Sequence, residues 1–486
     1  MLKYFRCQTI LTNKFSLIGA TQNKLFSSAQ QEVKPDKSET KITNPKLKLP
    51  PKRKPVIIVS EYGELLNIKP MTAPKPEVTL RQVQVVNDNT DSREFFKKMH
   101  RSPNTFFLFD PKGHYINAQS LYGSIKKQIS ETYFGSSKKK NEDKPYKGTV
   151  FEKCQLPFQI FNVNRMAKMN QKQFLSRIGF LALRDGSIEL NPKSKPEIVE
   201  MKSILQNLEV DFDLGSFKKP DYFLPFPFVE GLISYERSRT QGIKIRCLGD
   251  KIIYPQYGVF PPTTQEYLDL FANYITQSKK TIQNYKTMAD LGSGTGILPI
   301  IVSQLGKFNG DIYAFDKEHN CVESTRHNGQ VFGLTQQMNA IELDLMEFYY
   351  NPTDKFTENQ ANFYKKMTDE LGIPMQIDLI TCNPPWLPAE FIVDSSPLDN
   401  GVYDPKEKFL NSQIHLSQKG EMLLIYSDLA QLLGIQDENK VQQLANKYHL
   451  RAELIDKTGL LPNKKVNDPL KNIKKEAKVQ VYRITK

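Results

Sequence analysis

Residues 383–386 of this 486-residue chain, Asn-Pro-Pro-Trp, have types and an order that could carry out chemistry. They follow the apolar run DLITC, which predicts a buried strand ending at Cys382. Pro384 drives Asn383 toward an extended conformation, and each proline fixes its own φ near about −65°. The Asn383 side-chain oxygen and the Pro384 carbonyl then form two fixed acceptors for the two hydrogens of a flat amino group. Trp386 is the only tryptophan, and its ring can stack on such a group. The alternative is a Pro-Pro turn without a chemical role.

Three acidic residues stand at successive predicted strand ends upstream of this motif. Asp290 ends the run TMAD, Asp316 ends DIYAFD, and Asp344 follows IEL. A carboxylate at the second strand end can accept hydrogen bonds from the two hydroxyls of a ribose. One at the third strand end could accept from an adenine amino group. A single strand-terminal aspartate is more often a helix cap or a turn residue, but three in order favour a nucleoside ligand.

A glycine-rich turn follows the first of these acids, in the sequence ADLGSGTGILP. Glycines at alternate positions allow positive φ and let a ligand lie close to the backbone. They are Gly292, Gly294 and Gly296. A dinucleotide site would have the spacing G-x-G-x-x-G, and here the third glycine comes one residue early, which disfavours NAD.

The elements that must position these residues begin at about residue 251. Apolar strands alternate with helical stretches from there to the C-terminus, which predicts a parallel sheet covered by helices on both faces. Ligands of such sheets bind beyond the carboxyl ends of the strands, where the motif and the acids are expected. The stretch TTQEYLDLFANYI predicts an amphipathic helix capped by Thr263 or Thr264, and residues 349–375 predict an insertion.

This order of elements resembles the class I S-adenosylmethionine-dependent methyltransferases of the small-domain type, over about residues 251–486. The resemblance implies a Rossmann-like, doubly wound, mostly parallel sheet of seven strands, with S-adenosyl-L-methionine as cofactor. It implies that the glycine turn holds the amino-acid end of the cofactor, and that Asp290 orders this turn and contacts the methionine. Asp316 would bind the ribose, and Asp344 the adenine.

The Asn-Pro-Pro-aromatic motif is similar to that of enzymes that methylate planar amino nitrogens. They include release-factor glutamine methyltransferases and RNA guanine-N2 and adenine-N6 methyltransferases. Tyrosine or phenylalanine is commoner than tryptophan at the fourth position, so the substrate stays open. The resemblance implies catalytic roles for Asn383, Pro384 and Trp386.

Two further stretches, residues 254–270 and 401–410, resemble one subgroup of bacterial methyltransferases of unassigned substrate. They flank the glycine turn and the Asn-Pro-Pro-Trp motif, so their residues are candidates for the substrate mouth. The candidate substrate-binding residues are Pro385, Tyr403 and Asp404.

The charge distribution bears on the partner. The net charge is +14, of which +8 lies in residues 1–77 and +6 in residues 464–486, so the remainder is neutral. A basic C-terminal segment favours RNA, since phosphate contacts dominate such affinity, whereas a neutral body favours a protein substrate. The predicted partner is therefore RNA or a protein of the translation machinery.

The N-terminal half contains targeting and accessory segments. Residues 1–31 are basic, rich in hydroxyl side chains and free of acids, which is typical of a mitochondrial transit peptide and predicts the matrix. Residues 32–77 predict a disordered basic linker, and residues 78–250 an N-terminal accessory or substrate-recognition domain. No apolar run approaches the about eighteen residues of a membrane span. The five cysteines lie far apart, so neither a metal site nor a disulfide framework is predicted.

The function predicted from these observations is an N-methyltransferase. The alternative is a catalytically silent assembly or scaffold protein that keeps the methyltransferase fold in mitochondria. The intact glycine turn and the intact Asn-Pro-Pro motif favour the enzyme.

Overall fold

The computed structural model describes two compact units. The described residues are 69–70, 82–103, 105–135, 149–182, 188, 191, 222–344, 365–374, 376–389, 401–416, 420–459 and 468–486. Unit 1 is Met1–Lys126 with Leu175–Glu230, and unit 2 is Lys127–Phe174 with Gly231–Lys486. The predicted transit peptide, and all but two residues of the predicted linker, lie outside the described residues. Unit 2 takes in a segment from the range predicted as the accessory domain.

Unit 1 contains a five-stranded sheet of order β1-β5-β4-β3-β2. Its strands are β1 (Lys69–Pro70), β2 (Gln82–Val86), β3 (Thr105–Phe109), β4 (Ile178–Ala182) and β5 (Tyr222–Pro225). Strands β2, β3 and β4 run parallel, and β5 runs antiparallel to β4. Its core is aromatic: Phe107, Phe180, Phe223 and Phe226 are at most 1% exposed. Helix α1 (Ser92–Arg101) begins at Asp91, whose carboxylate accepts from the backbone N–H groups of Arg93 and Glu94.

Three long helices include the positions in the sequence at which the chain passes from one unit to the other. They are α2 (Tyr115–Phe134), α3 (Pro157–Leu175) and α4 (Phe226–Gln241). Helix α3 packs within unit 2, where Phe161 belongs to a cluster with Leu387, Leu429 and Leu433. This helix precedes the predicted methyltransferase range by about 80 residues in sequence and still contributes to the core of unit 2.

Unit 2 is built on a seven-stranded sheet of order β10-β9-β8-β11-β14-β16-β15. The strands of this sheet are β8 (Thr287–Leu291), β9 (Asp311–Asp316), β10 (Met338–Glu342), β11 (Leu379–Cys382), β14 (Glu421–Ser427), β15 (Arg451–Gly459) and β16 (Lys478–Thr485). The first five neighbours run parallel, while β16 runs antiparallel to both β14 and β15. The predicted mostly parallel, seven-stranded sheet is confirmed. Two small sheets pair β6 (Ile243–Ile245) with β7 (Lys251–Ile253), and β12 (Leu387–Ala389) with β13 (Tyr403–Pro405).

Helices cover both faces of the seven-stranded sheet because successive strand residues point to opposite sides. Met288 and Ile312 face one core, and their chain neighbours Ala289 and Tyr313 face the other. The helices of this unit are α5 (Glu266–Gln277), α6 (Lys279–Ile282), α7 (Ile297–Gly306), α8 (His319–Val331), α9 (Lys408–Leu416), α10 (Leu429–Leu432), α11 (Lys440–Lys447) and α12 (Lys471–Glu476). The first core packs on α5 and α7, and the second on α9 and α11. The carboxyl ends of the five parallel strands therefore lie along one edge of the sheet, and the polar motifs lie at these ends.

The predicted cap of helix α5 is wrong. The helix begins at Glu266, with Gln265 at the cap position and no side-chain hydrogen bond to the helix. The Gln265 amide instead accepts from Arg246 N at 2.7 Å and donates to Lys244 O at 2.6 Å. These bonds connect Lys244 and Arg246 to the helix start, and the cap position lies one residue after Thr264. Most of the predicted insertion 349–375 lies outside the described residues.

Candidate functional site

The glycine-rich turn after β8 has a backbone that only glycine adopts readily. Gly292, Gly294 and Gly296 have φ values of 76°, 54° and 73°, in the left-handed region. A Cβ on Gly292 would lie 3.1 Å from the ring of Phe409, and one on Gly296 would lie 3.1 Å from Thr325. Nothing lies within 4 Å of the corresponding position on Gly294. A ligand therefore has open space against the backbone at the middle glycine.

Helix α8 and strand β9 hold this turn in place. The backbone N–H groups of Gly292 and Ser293 both donate to Phe315 O at 2.9 Å. On the other side, Thr325 Oγ1 lies 3.1 Å from Ser293 Oγ, and Asn328 Nδ2 donates to Thr295 O at 2.9 Å. Thr325 and Asn328 are fully buried, so these bonds are made away from water. The turn is consequently rigid before any ligand arrives.

Asp316, the last residue of β9, connects two parts of this edge. One carboxylate oxygen accepts from Gly294 N at 3.0 Å, and the other accepts from Glu318 N at 3.0 Å. Burial raises the pKa of Asp316, although the N–H groups of Glu318 and Gly294 act in the opposite direction. The structure thus places Asp316 against the glycine turn, where the sequence predicted the ribose acid.

Asp344 lies two residues beyond the end of β10 rather than on its last residue, and it is half-buried. The preceding residue, Leu343, donates its backbone N–H to Asp316 O at 2.9 Å. Strand β10 therefore passes beside Asp316, and Asp344 follows two residues after the end of this strand.

Asp290 is 1% exposed and bonds across the sheet rather than into open space. It is the Cα partner of Thr381 in the β8–β11 register, and Thr381 Oγ1 donates to Asp290 Oδ1 at 2.7 Å. Burial raises the pKa of Asp290 to about 7, the Thr381 bond lowers it, and the charge of Asp316 raises it further. This bond joins the strand that carries the glycine turn to the strand that carries the Asn-Pro-Pro-Trp motif. Sequence reasoning missed Thr381, since a threonine within an apolar run gives no signal of its partner.

The Asn-Pro-Pro-Trp motif begins directly after β11. The register pairs Cys382 with Leu291, so Asn383 and Gly292 are the first residues beyond two adjacent parallel strands. Trp386 Nε1–H donates to Asn383 Oδ1 at 3.0 Å. The Trp386 ring is half-buried and lies edge-on to Tyr267, with the ring centroids 6.2 Å apart. The sequence predicted a stacking surface for substrate, and the structure adds a hydrogen bond within the motif itself.

Asp404 caps a helix at this site. It is 3% exposed, and its carboxylate accepts from Phe409 N at 2.9 Å and Leu410 N at 2.8 Å, at the start of α9. Burial raises the pKa of Asp404 to about 6 against the effect of these N–H groups. The cap fixes Phe409, whose ring lies against Gly292. Asp404 is therefore linked to the glycine turn through a neighbouring ring, a contact that sequence spacing did not indicate.

Tyr403 is half-buried beside helix α3. The Arg165 guanidinium lies 4.5 Å from the centroid of the Tyr403 ring, a cation–π distance, and Phe161 lies 6.4 Å from the same ring. Strand β13, which begins at Tyr403, pairs with β12, which begins directly after Trp386. The predicted mouth residue is thus attached to the motif through β12. Arg165 was missed because it precedes Tyr403 by about 240 residues.

Comparison with known proteins gives a family match for the part that contains the glycine turn. Residues 261–361 match the family model of ribosomal protein L11 methyltransferase (PrmA). That segment contains β8, β9 and β10 of the unit 2 sheet. In the order of this sheet, the antiparallel strand β16 lies directly beside the fifth strand, β14. Unit 2 has the class I methyltransferase fold. The resemblance stated from the sequence is confirmed, and the match and fold together support an S-adenosylmethionine-dependent methyltransferase.

Solved structures similar to this chain have low sequence identity to it. A putative RNA methyltransferase from Pyrococcus horikoshii is 13% identical, covers 50% of this chain and 97% of its own, and has a TM-score of 0.31. The N-terminal domain of human METTL16 in complex with SAH is 11% identical, covers 56% and 86%, and has a TM-score of 0.32. A ribosomal protein L11 methylase from Lactobacillus delbrueckii subsp. bulgaricus is 15% identical, covers 49% and 86%, and has a TM-score of 0.26.

Clusters of metal ligands and membrane-spanning helices are both absent from the residues that the structure describes. Within the ranges given above, no group of three or more His, Cys, Asp or Glu side chains could hold a metal ion. Over the same ranges, no helix is both long and apolar enough to cross a membrane.

Proposed function

We propose that this chain transfers a methyl group from S-adenosyl-L-methionine to a planar amino nitrogen. The observation that carries the proposal is the β8–β11 register, which pairs Leu291 with Cys382. Gly292 opens the candidate cofactor turn and Asn383 opens the candidate acceptor motif, and the two are neighbours on adjacent strands. Methyl transfer needs the donor and the acceptor nitrogen in line at close range, and two adjacent rigid strand ends supply that alignment.

The residues at this edge fit the cofactor chemically. Ribose hydroxyls and an adenine amino group are hydrogen-bond donors, and Asp316 and Asp344 offer carboxylate acceptors at successive strand ends. The open space at Gly294 suits a ligand that lies against the backbone. When bound, S-adenosyl-L-methionine supplies an electrophilic methyl group on a sulfonium.

Asn383 and Pro384 would act on the substrate nitrogen. The lone pair of a planar amino nitrogen is delocalised, which makes it a poor nucleophile. The Asn383 side-chain oxygen and the Pro384 carbonyl would accept its two hydrogens, which localises the lone pair and directs it toward the methyl group. No general base is required, since the proton becomes acidic once the nitrogen is methylated and can leave to water.

The substrate of the proposed enzyme is an RNA base, at guanine N2 or adenine N6, or a glutamine of a translation protein. Lys471 and Lys475 of α12 support RNA, because they add positive charge to the C-terminal segment, whereas Lys474 is paired with Asp468. The family match to a ribosomal protein methyltransferase supports a protein of the translation machinery. The basic, acid-free N-terminus supports action in the mitochondrial matrix.

The test uses full-length protein, radiolabelled S-adenosyl-L-methionine and a mitochondrial extract from cells that lack the gene, with Asn383→Ala as control. Label that ribonuclease removes would identify an RNA substrate, and label that protease removes would identify a protein substrate. Equal incorporation by wild type and Asn383→Ala would reject the amino-nitrogen mechanism. Localisation is checked separately, by fractionation of cells that express the tagged full chain.

The second candidate is the silent scaffold, and the half-buried bond between Trp386 and Asn383 is the observation that favours it. A motif whose acceptor is already engaged could be purely structural. Absence of cofactor binding by calorimetry, together with absence of label above the control, would support the scaffold and reject the enzyme.

A further inference from the structure

We propose that Trp386 is a positioning residue whose indole N–H fixes the Asn383 amide in the orientation that binds the substrate amino group. The inference rests on the proposed function and deepens it. It assigns Trp386 an action through Asn383 rather than through contact with the substrate alone.

The geometry fixes which way the amide points. The Nε1···Oδ1 separation of 3.0 Å is an ordinary hydrogen-bond length. An indole nitrogen is a donor only, and the amide nitrogen of Asn383 is also a donor. The two nitrogens therefore cannot face one another, and Asn383 must present Oδ1 to Trp386. The amide flip that leaves most asparagines ambiguous is thereby determined by one neighbour.

The Trp386 ring is itself held by rigid elements. It packs against the core clusters on both faces of the sheet. It also meets Tyr267 of helix α5 edge-on, at an interplanar angle of 90°, and Tyr267 is 4% exposed. A ring that is locked by packing can hold its hydrogen-bond partner still. The orientation of Asn383 is therefore set by the core of unit 2.

The number of acceptor sites is consistent with this role. An amide oxygen has two lone pairs, so the bond from Trp386 leaves one on Asn383 Oδ1. That lone pair and the Pro384 carbonyl make two acceptors, which equals the number of hydrogens on a primary amino group. Phenylalanine at position 386 would keep an aromatic ring and remove the donor, although its smaller ring also loses part of the packing against the core. Trp386→Phe is therefore the matched substitution.

The first measurement follows the indole directly. Because Trp386 is the only tryptophan, isotopically labelled tryptophan in the full chain gives one indole N–H resonance. We expect Asn383→Ala to shift this resonance and to speed its exchange with solvent by about tenfold, the effect of one lost hydrogen bond. Asn339→Ala, on the exposed edge strand β10, is the control that leaves it in place. An unchanged resonance and exchange rate in Asn383→Ala would overturn the inference.

The second measurement is a double-mutant cycle on initial rates of label transfer into total RNA and protein of the same extract. We expect Trp386→Phe to lower turnover roughly threefold to tenfold, with the KM for S-adenosyl-L-methionine unchanged. In the Asn383→Ala background the same substitution should cost less than about twofold, because its effect passes through Asn383. An equal cost in both backgrounds would mean that Trp386 acts on substrate or stability independently of Asn383, and would refute the inference.

The two measurements separate the two proposals. If no variant and no wild-type protein transfers label above background, the proposed function fails, and the resonance still decides whether Asn383 holds the indole. If wild type is active and Asn383→Ala leaves the position and exchange rate of the indole resonance unchanged, the positioning role fails while the proposed function stands.

Discussion

Replacing Asp290 by asparagine should stabilise unit 2 at neutral and alkaline pH when no cofactor is present. Burial raises the pKa of Asp290 from 3.8 to about 7. A carboxyl with a raised folded-state pKa resists ionisation, so its cost to stability is small below about pH 4 and grows as pH rises toward 7. Wild-type stability should therefore fall through this window. Asparagine keeps an acceptor for Thr381 Oγ1 and cannot ionise.

The size of the effect follows from the shift in pKa. About 3 pKa units at 1.36 kcal/mol each amount to about 4 kcal/mol at pH 8, and the same linkage leaves about 1–2 kcal/mol at pH 5. The stability difference between Asp290→Asn and wild type should thus grow by about 2–3 kcal/mol between these two pH values. A buried amide has its own desolvation cost, which lowers the difference equally at both pH values.

Urea unfolding followed by tryptophan fluorescence is the suitable assay, because the single tryptophan, Trp386, lies in unit 2 and reports on that unit. Asp311→Asn, at the exposed start of β9, is the matched control, and its effect should stay within about 0.5 kcal/mol of wild type at both pH values. A difference for Asp290→Asn that does not change between pH 5 and pH 8 would refute a buried carboxyl that resists ionisation.

Three further outcomes test the site. Asp316→Ala should weaken S-adenosyl-L-methionine binding roughly 10- to 100-fold by calorimetry, since a charged acceptor is lost, and an unchanged Kd would remove Asp316 from the ribose site. Asn383→Ala should leave that Kd within about twofold and lower turnover by about 10²–10³, and wild-type turnover would contradict its role on the substrate nitrogen. Asp404→Ala should lower the free energy of unfolding of unit 2 by about 0.5–2 kcal/mol, because the helix cap is lost. It should also weaken cofactor binding, because Phe409 is then less firmly held beside Gly292. An unchanged free energy of unfolding would exclude the cap.

The central strands of the unit 2 sheet could be predicted from sequence because they are buried on both faces, as β8, β11 and β14 are. Such strands appear as apolar runs, and an acid marks the end of two of them: Asp316 is the last residue of β9, and Asp290 is the last but one of β8. A strand end is a local property of the chain. The candidate site was therefore predictable to the extent that it consists of strand ends.

Contacts between distant segments could not be predicted in this way. Thr381 bonds Asp290 because β8 and β11 are neighbours in the sheet, and that adjacency depends on the strand order rather than on spacing. The bond from Trp386 to Asn383 depends on two side-chain rotamers, which a four-residue motif does not specify. The described residues 149–174 belong to unit 2, and nothing in their own sequence indicates that they pack there.

The position of helix α3 has a consequence for biosynthesis. Arg165 is made about 240 residues before Tyr403, the ring on which it lies. At a translation rate of about 5–20 residues per second, the apolar face of α3 waits roughly 10–50 seconds for its partner. In the nascent chain, α3 therefore lacks its packing partner while the later strands are still being synthesised. Recombinant fragments that begin after α3 would expose the cluster of Leu387 and Leu429 that Phe161 covers.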